Sequence, residues 1–323
     1  MLIGSDLICR CYSDTRVRFE RICCSRKHEE ALSRMLYAIR ECKNAAMLTG
    51  ECGSGKTLLS RILAEELSNA QHQSVLIFNP RVPALELIKE IAHQLNGDMA
   101  SFLSITDVFR YFNEILYGNE DGNKKTVIII DEAQALLEDS FEELWLLLNF
   151  QLNDTFLLTI ILLGQAELRR KIKNLPQFKE RIAVRYNLSA LSQEDTKKYI
   201  RHRLEVAGSE ETFRNDIFSE VYRFSGGIPG RINSIYDMAL LVGYGEGVDV
   251  IDKETIEEVA KDLDGIHIEN DEKAEDVRYR QALENVSFDN EHFRRKLLLK
   301  EQTAPKARAT QEPMRYTGIR YFD

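Results

Sequence analysis

The chain has 323 residues, of which 44% are hydrophobic and 29% charged, which excludes a single small module and a fibrous or disordered composition. Its 43 Lys and Arg stand against 52 Asp and Glu, and the formal charge of −9 argues against a broad phosphate-tracking surface while leaving room for a local basic patch. The longest apolar runs, such as 157–163, have strand length and fall far short of the roughly 18 residues that cross a bilayer; the N-terminus lacks the continuous apolar region of a secretory signal. A cytoplasmic protein is expected.

All six cysteines, Cys9, Cys11, Cys23, Cys24, Cys42 and Cys52, fall in the first 52 residues. Clustered thiolates can converge on zinc, but no CxxC pair is present and the spacing fits free thiols, so no metal or redox function is assigned to them. From 28 to 40, Ala31, Leu32, Met35, Leu36 and Ile39 recur at three- and four-residue steps, predicting a helix with one buried face. A strand is predicted at 45–49, ending in Gly50, and a second helix at 56–68. Short apolar runs predict further strands at 75–79, 126–130, 157–163 and 183–188, of the kind buried on both faces. Helical patterns near 84–96, 105–117, 140–152 and 166–180 separate them, the alternation of an α/β fold with a parallel sheet and helices on both sides. After Leu191 the strands stop. Helices are predicted at 193–206, 212–225, 229–243 and 252–263, with Ser192 and Asp252 as N-caps and Pro229 in a first turn. Beyond Asp264 the sequence is charge-rich, with a helical pattern over 274–300 and then a polar stretch without period, read as a partly disordered tail.

Two motifs carry chemistry. Gly50-Glu51-Cys52-Gly53-Ser54-Gly55-Lys56-Thr57 fits GxxxxGK[ST] between a strand and a helix, and Leu58 follows it into the helix. Glycines let backbone N–H groups curl around a polyphosphate while the helix turns its positive end toward the charge. Lys56 is placed to reach the β and γ phosphates of ATP, and Thr57 to offer its hydroxyl to Mg²⁺; the Cys52 side chain is incidental. The second motif, 127–132, is a buried strand that delivers Asp131 and Glu132 at its C-terminal end, where open α/β sheets bind ligands. Asp131 is expected to hold Mg²⁺ and Glu132 to polarise a water in line with the γ phosphate. Two acids at this point also suit a helix N-cap pair. Beside the glycine loop, the metal reading is preferred.

Further segments fall in order with these: Asp131-Glu132-Ala133-Gln134, Leu147-Leu148-Asn149-Phe150, 162–168, 181–186, 199–204, and Ser225-Gly226-Gly227-Ile228-Pro229. Together they resemble the AAA+ ATPases of the general secretion pathway A type, whose relatives include pilus-biogenesis and exosortase-associated secretion ATPases. The resemblance spans about 25–264. It implies a P-loop NTPase α/β domain over 25–190, a helical lid over 191–264, and a homo-oligomer with ATP at the subunit seams. Segment 1–24 is left without a role, and 265–323 is the charged tail. Gln165 matches the family's polar sensor, its amide able to bond the γ phosphate or the attacking water; an ordinary turn glutamine is the alternative. Arg181 matches an arginine finger reaching the next subunit, Arg185 is the second candidate, and a surface ion pair is the alternative for either.

One departure stands out: relatives place an arginine directly after the proline of GGIP, whereas here Gly230 follows and Arg231 comes next. About 100° of helix rotation separates the two positions, so Arg231 is a displaced sensor candidate for the nucleotide. The start of the chain does not resemble the aromatic-rich start of relatives, and no segment resembles their transmembrane helix and periplasmic cell-wall region. The resemblance implies an ATPase that turns ATP·Mg²⁺ hydrolysis into conformational change or assembly, with a protein partner in a secretion, pilus or polysaccharide-export machine that would also bring it to the membrane. The alternatives are an ATP-dependent DNA-binding regulator of the transposition type, and a nucleotide switch that hydrolyses slowly.

Overall fold

Strands with apolar residues at every position need cover on both faces, and the fold supplies it. The computed structural model describes residues 25–68, 72–98, 102–118, 124–152, 155–207, 212–214 and 216–263. Segment 1–24 with its four cysteines, and the tail after Asp264 with the helix predicted at 274–300, lie outside the described residues. In chain order the elements are α1 (Arg26–Arg40), β1 (Ala45–Gly50), α2 (Lys56–Ser68), β2 (His72–Ile77), α3 (Ala84–Gln94), α4 (Ile105–Gly118) and β3 (Lys125–Ile130). After a 3₁₀ turn at Ala133–Ala135 come α5 (Glu138–Leu147), two short strands β4 (Gln151–Leu152) and β5 (Thr155–Phe156), β6 (Leu158–Gly164), α6 (Ala166–Lys173), α7 (Pro176–Arg181) and β7 (Ile182–Leu188). Four helices end the described chain: α8 (Gln193–Ala207), α9 (Ile217–Ser225), α10 (Pro229–Glu246) and α11 (Lys253–Leu263).

The main sheet is parallel in the order β2-β3-β6-β1-β7. Side chains alternate across it. Met47, Ile128, Ile130, Ile160 and Leu162 pack with residues of α3, α4, α5 and α6, such as Ile88, Phe112, Leu144 and Leu168. Ala46, Leu48, Val127, Ile129 and Ile161 face the other way, onto Met35 and Ile39 of α1 and Leu59 and Leu63 of α2. The helices after Leu191 build their own core, with Ile200, Ile217, Val221, Ile235 and Ile256 at its centre. All of the described residues belong to one compact unit.

Several predicted bounds move for local reasons. The strand expected at 75–79 runs instead over His72–Ile77: the polar start Gln73-Ser74 is held by backbone pairing with Thr126 and Val127, and Phe78 is exposed. The helix expected at 140–152 stops at Leu147, because Gln151–Leu152 turns back as an antiparallel pair with Thr155–Phe156. The helix expected at 166–180 breaks in two where Leu175, ahead of Pro176, takes φ −117° and ψ 78°. The helix expected from 212 begins only at Ile217, and Phe213 makes an isolated parallel bridge with Ile251.

Phe112 is fully buried in α4, against Phe109 and Tyr111 and the sheet beneath. Phe112→Ala should therefore cost about 3–5 kcal/mol through lost burial and the cavity left behind. Urea unfolding that finds a loss below about 1 kcal/mol would contradict this packing.

Candidate functional site

The C-terminal ends of β1, β3 and β6 lie side by side, so the polar residues that follow each strand emerge at one edge of the sheet. After β1 comes the glycine loop. Gly53 and Gly55 hold φ of +75° and +98°, conformations that an L side chain resists, and they let the backbone curl before α2 begins at Lys56. The amides of Gly55, Lys56 and Thr57 make no backbone hydrogen bond among the described residues. They stand open at a helix N-terminus, a setting suited to an anion.

Lys56 is 4% exposed. Its Nζ donates to the carbonyls of Gly50 (3.0 Å) and Glu51 (2.7 Å) and lies 3.5 Å from Ser54 Oγ. Burial pushes the ammonium below its ordinary pKa, against the pull of Glu132, Cys52, Asp131 and Glu51. Among the described residues this cation has backbone carbonyls for partners and no direct carboxylate bond, an arrangement chemically suited to an anion.

After β3 comes the acid pair. Asp131 is 1% exposed, and its Oδ1 accepts the Glu132 amide at 2.9 Å. Ser60, one turn into α2 from Thr57, donates to the Thr57 carbonyl at 2.8 Å and lies 3.5 Å from Asp131 Oδ2, so the start of α2 and the acid strand lie side by side. Glu132 sits in the left-handed region, φ 50° and ψ 35°, an uncommon and costly place for a non-glycine residue. Its Oε2 accepts from the side-chain amides of Gln134 and of Gln165, the latter at 3.4 Å. Gln134 in turn accepts the Gln165 backbone amide at 3.0 Å. Gln165 thus stands beside Glu132, the neighbourhood expected of it.

The arginines are spread more widely. Arg181 donates to Asn149 at 2.9 Å, and the residue after it pairs with Ala45 at the N-terminal end of β1. The glycine loop follows the other end of that strand, roughly 17 Å away at about 3.3 Å per residue. Arg181 is accordingly far from its own loop. Arg185 pairs with Met47 mid-strand and donates to the Lys179 carbonyl at 2.6 Å.

Arg231 is exposed in the first turn of α10. Its neighbour Gly230 makes the closer contact: the Gly230 amide donates to the Gly53 carbonyl at 2.9 Å, and a Cβ built at 230 would lie 2.9 Å from the Gly53 Cα. The glycine that displaces the expected arginine is therefore required by a backbone-to-backbone contact between α10 and the loop.

Four residues that the sequence reading passed over belong to this assembly. Ser60 is signalled by its helical spacing from Thr57, and Gln134 lies inside a motif already noted. Arg169 donates to Thr49 and Asn187, both at 2.9 Å, bracing the residue before Gly50. His28 reaches the loop from α1, its Nε2 2.8 Å from the Ser54 carbonyl oxygen. The last two are long-range contacts without a motif.

Residues 39–172 match the family model described as AAA domain. The chain is 34% identical over 248 residues to General secretion pathway protein A of Aeromonas hydrophila, across 76% of this chain and 45% of that protein, so it spans about half the length of that relative. Solved structures of similar fold include Cdc6p from Pyrobaculum aerophilum (TM-score 0.59, 16% identity, 73% of this chain and 66% of that). Another is Drosophila ORC bound to DNA (0.58, 16%, 86% and 78%). A third is the Aeropyrum pernix ORC2 protein in ADPNP-ADP complexes (0.52, 16%, 73% and 66%). At these identities the likeness is one of fold. The sheet order, the glycine loop and the family match define an AAA domain with a P-loop NTPase fold. Within that class, the chain is similar to the general secretion pathway A type of AAA ATPases.

The Gly53–Gly230 contact yields a prediction. Gly230→Val forces the backbones of α10 and the loop apart, and should cost about 1–3 kcal/mol of overpacking strain. Faster amide hydrogen exchange at residues 50–57, with the main sheet protected as before, is the expected result. Unchanged exchange would mean that the helix does not rest on the loop.

Proposed function

We propose that the chain is an ATPase that binds ATP with Mg²⁺ and hydrolyses it, with residues 25–190 as the nucleotide-binding domain and 191–264 as its lid. The observation that carries this reading is the convergence at one sheet edge of a buried Lys56, open loop amides, and an acid pair lying against the first turn of α2 at Ser60. The donor set fits the groups assigned to it: Lys56 and the amides of Gly55, Lys56 and Thr57 for phosphate oxygens, and Thr57 with Asp131 for the metal. Gly50, Glu51, Cys52, Gly53, Ser54 and Leu58 shape the loop around them. Bound Mg²⁺ supplies neutralisation of phosphoryl charge. Glu132, held by Gln134 and Gln165, orients a water and takes up its proton. Arg181, remote from its own loop, serves the site of a neighbouring copy, as a homo-oligomer with ATP at its seams would require. The ORC2 protein of similar fold is an ADPNP-ADP complex, which supports nucleotide as the ligand proposed here. The likeness to General secretion pathway protein A supports a role in a secretion, pilus or export system, with ATP state setting assembly or the lid position. A cytoplasmic location with membrane association through a partner follows the same relative. Among the described residues no helix is long and apolar enough to cross a membrane.

A second reading, an ATP-dependent DNA-binding regulator, draws on one feature. Arg169, Lys173, Lys179 and Arg185 line a cavity of about 440 Å³ with no carboxylate among its walls. The formal charge of −9 weighs against it. ATP-dependent retention on duplex DNA that collapses as salt rises is the result that would favour it over the first reading.

Lys56→Ala should weaken ATP binding about 100-fold, measured by calorimetry, since a buried charge-assisted contact is lost. An unchanged affinity would refute the loop assignment. Glu132→Gln should keep ATP bound while phosphate release falls roughly 10²- to 10⁴-fold; turnover at the parent rate would remove Glu132 from the reaction. Arg181→Ala should lose about 10³-fold in rate and recover part of it when mixed with Glu132→Gln subunits, which bring an intact arginine to its site. Mixed assemblies without recovery would place the finger elsewhere.

A further inference from the structure

The sequence pattern of α1 puts His28 on the same stripe as Ala31, Met35, Ala38 and Ile39, the face that packs onto the sheet. A histidine there is an anomaly. It is 3% exposed, the other buried members of its helix are all apolar, and its ring makes one hydrogen-bond contact, Nε2 to the Ser54 carbonyl oxygen at 2.8 Å. A carbonyl only accepts, so Nε2 carries the hydrogen. Burial lowers the imidazole pKa and favours the neutral ring, in which Nδ1 is then a bare acceptor. Nδ1 is indeed buried without a partner among the described residues. The one hydrogen bond that this buried ring makes is therefore the one to the loop.

A trans peptide is planar, so holding the Ser54 carbonyl fixes the direction of the Gly55 N–H on its opposite side. Gly55 is the residue with φ +98°, where the backbone has no side chain to limit its rotation, and its amide is one of those without a backbone acceptor. On the preceding peptide, Gly230 holds the Gly53 carbonyl in the same manner. Two successive peptides of the loop are therefore pinned from outside, one by α10 and one by α1.

We propose that His28 is a positioning residue for the glycine loop: its Nε2–H holds the Ser54 carbonyl toward α1 and so presents the Gly55 amide to the phosphate chain of the nucleotide. The role deepens the ATP-binding reading and rests on it. His28 touches neither the ligand nor the metal. It sets the direction of a donor that does, and without it the Ser54–Gly55 peptide is free to flip.

The test is a pair of substitutions that differ by one methylene, made in the full chain. The Gln side-chain nitrogen extends about as far as Nε2, whereas that of Asn falls short of Ser54. Mg²⁺·ATP affinity is measured by calorimetry, and thermal unfolding is followed without nucleotide. His28→Asn should weaken binding about tenfold, the scale of one lost buried hydrogen bond, and His28→Gln should restore affinity to within about threefold of the parent. Equal losses in both variants would assign the effect to ring packing, and parent-like affinity in His28→Asn would show that the bond does not matter; either overturns the proposal while leaving ATP binding intact. A parent chain that binds no Mg²⁺·ATP removes the nucleotide reading and this role together. Parallel losses of affinity and melting temperature in His28→Asn, with neither recovered in His28→Gln, would likewise mark a structural role only.

Discussion

The structure depends on one constraint: β1, β3 and β6 are buried on both faces, so no chemistry can leave the sheet except at the strand ends. Their parallel register, with Thr126 beside Leu158 and Ala45 beside Ile160, brings the three C-terminal ends level. Each strand then delivers its polar group to the same edge: the glycine loop after β1, Asp131 and Glu132 after β3, and Gln165 after β6. No long side chain has to cross the core to assemble the site. Ser60 closes the arrangement from the helix side, between Thr57 and Asp131.

The second organising contact is made by backbone alone. A hydrogen bond from Gly230 to Gly53 is possible because neither residue carries a Cβ, and the gap between them has no room for one. Ile228 adds a methyl within 3.4 Å of the position a Gly53 Cβ would take. Helix α10 thereby rests on the part of the loop whose conformation is least restrained by side chains. Any movement of α10 must be felt at Gly53, because the two backbones share a hydrogen bond. Any side chain at 230 would hold the helix away, since its Cβ would lie 2.9 Å from the Gly53 Cα; a glycine gains the contact.

What could be read from the sequence follows from the range of the interactions involved. The cores of β1, β3 and β6 were legible because two-sided burial writes a continuous apolar run, and the glycine loop and acid pair were legible because their chemistry needs fixed residue types at fixed spacing. The first half of β2 was not: Gln73 and Ser74 are held by backbone pairing with β3, which leaves no mark on side-chain pattern. The β4–β5 turn was hidden because Phe150 and Leu152 continue the helical spacing of α5 by coincidence. The break at Pro176 had a signal in the proline itself, overridden by the apolar period around it. Gly230 was visible as a departure, yet its reason lies in a residue 177 positions away, and His28 was passed over although a polar residue on an apolar stripe is the usual mark of a buried hydrogen bond.

Glu132 shows how the site combines restraint with strain. Its left-handed backbone costs about 1–2 kcal/mol for a residue with a Cβ, and the cost is concentrated at the one point where β3 leaves the sheet. Asp131 accepts the Glu132 amide and the two glutamine amides converge on Oε2, so backbone and side chain are both fixed before any ligand arrives. Amide groups are suited to this duty: they orient a carboxylate without neutralising it and without donating a proton that could be lost. A carboxylate held in this way has little freedom left to lose, so the strained turn and the two glutamines together preorganise Glu132 at the strand end.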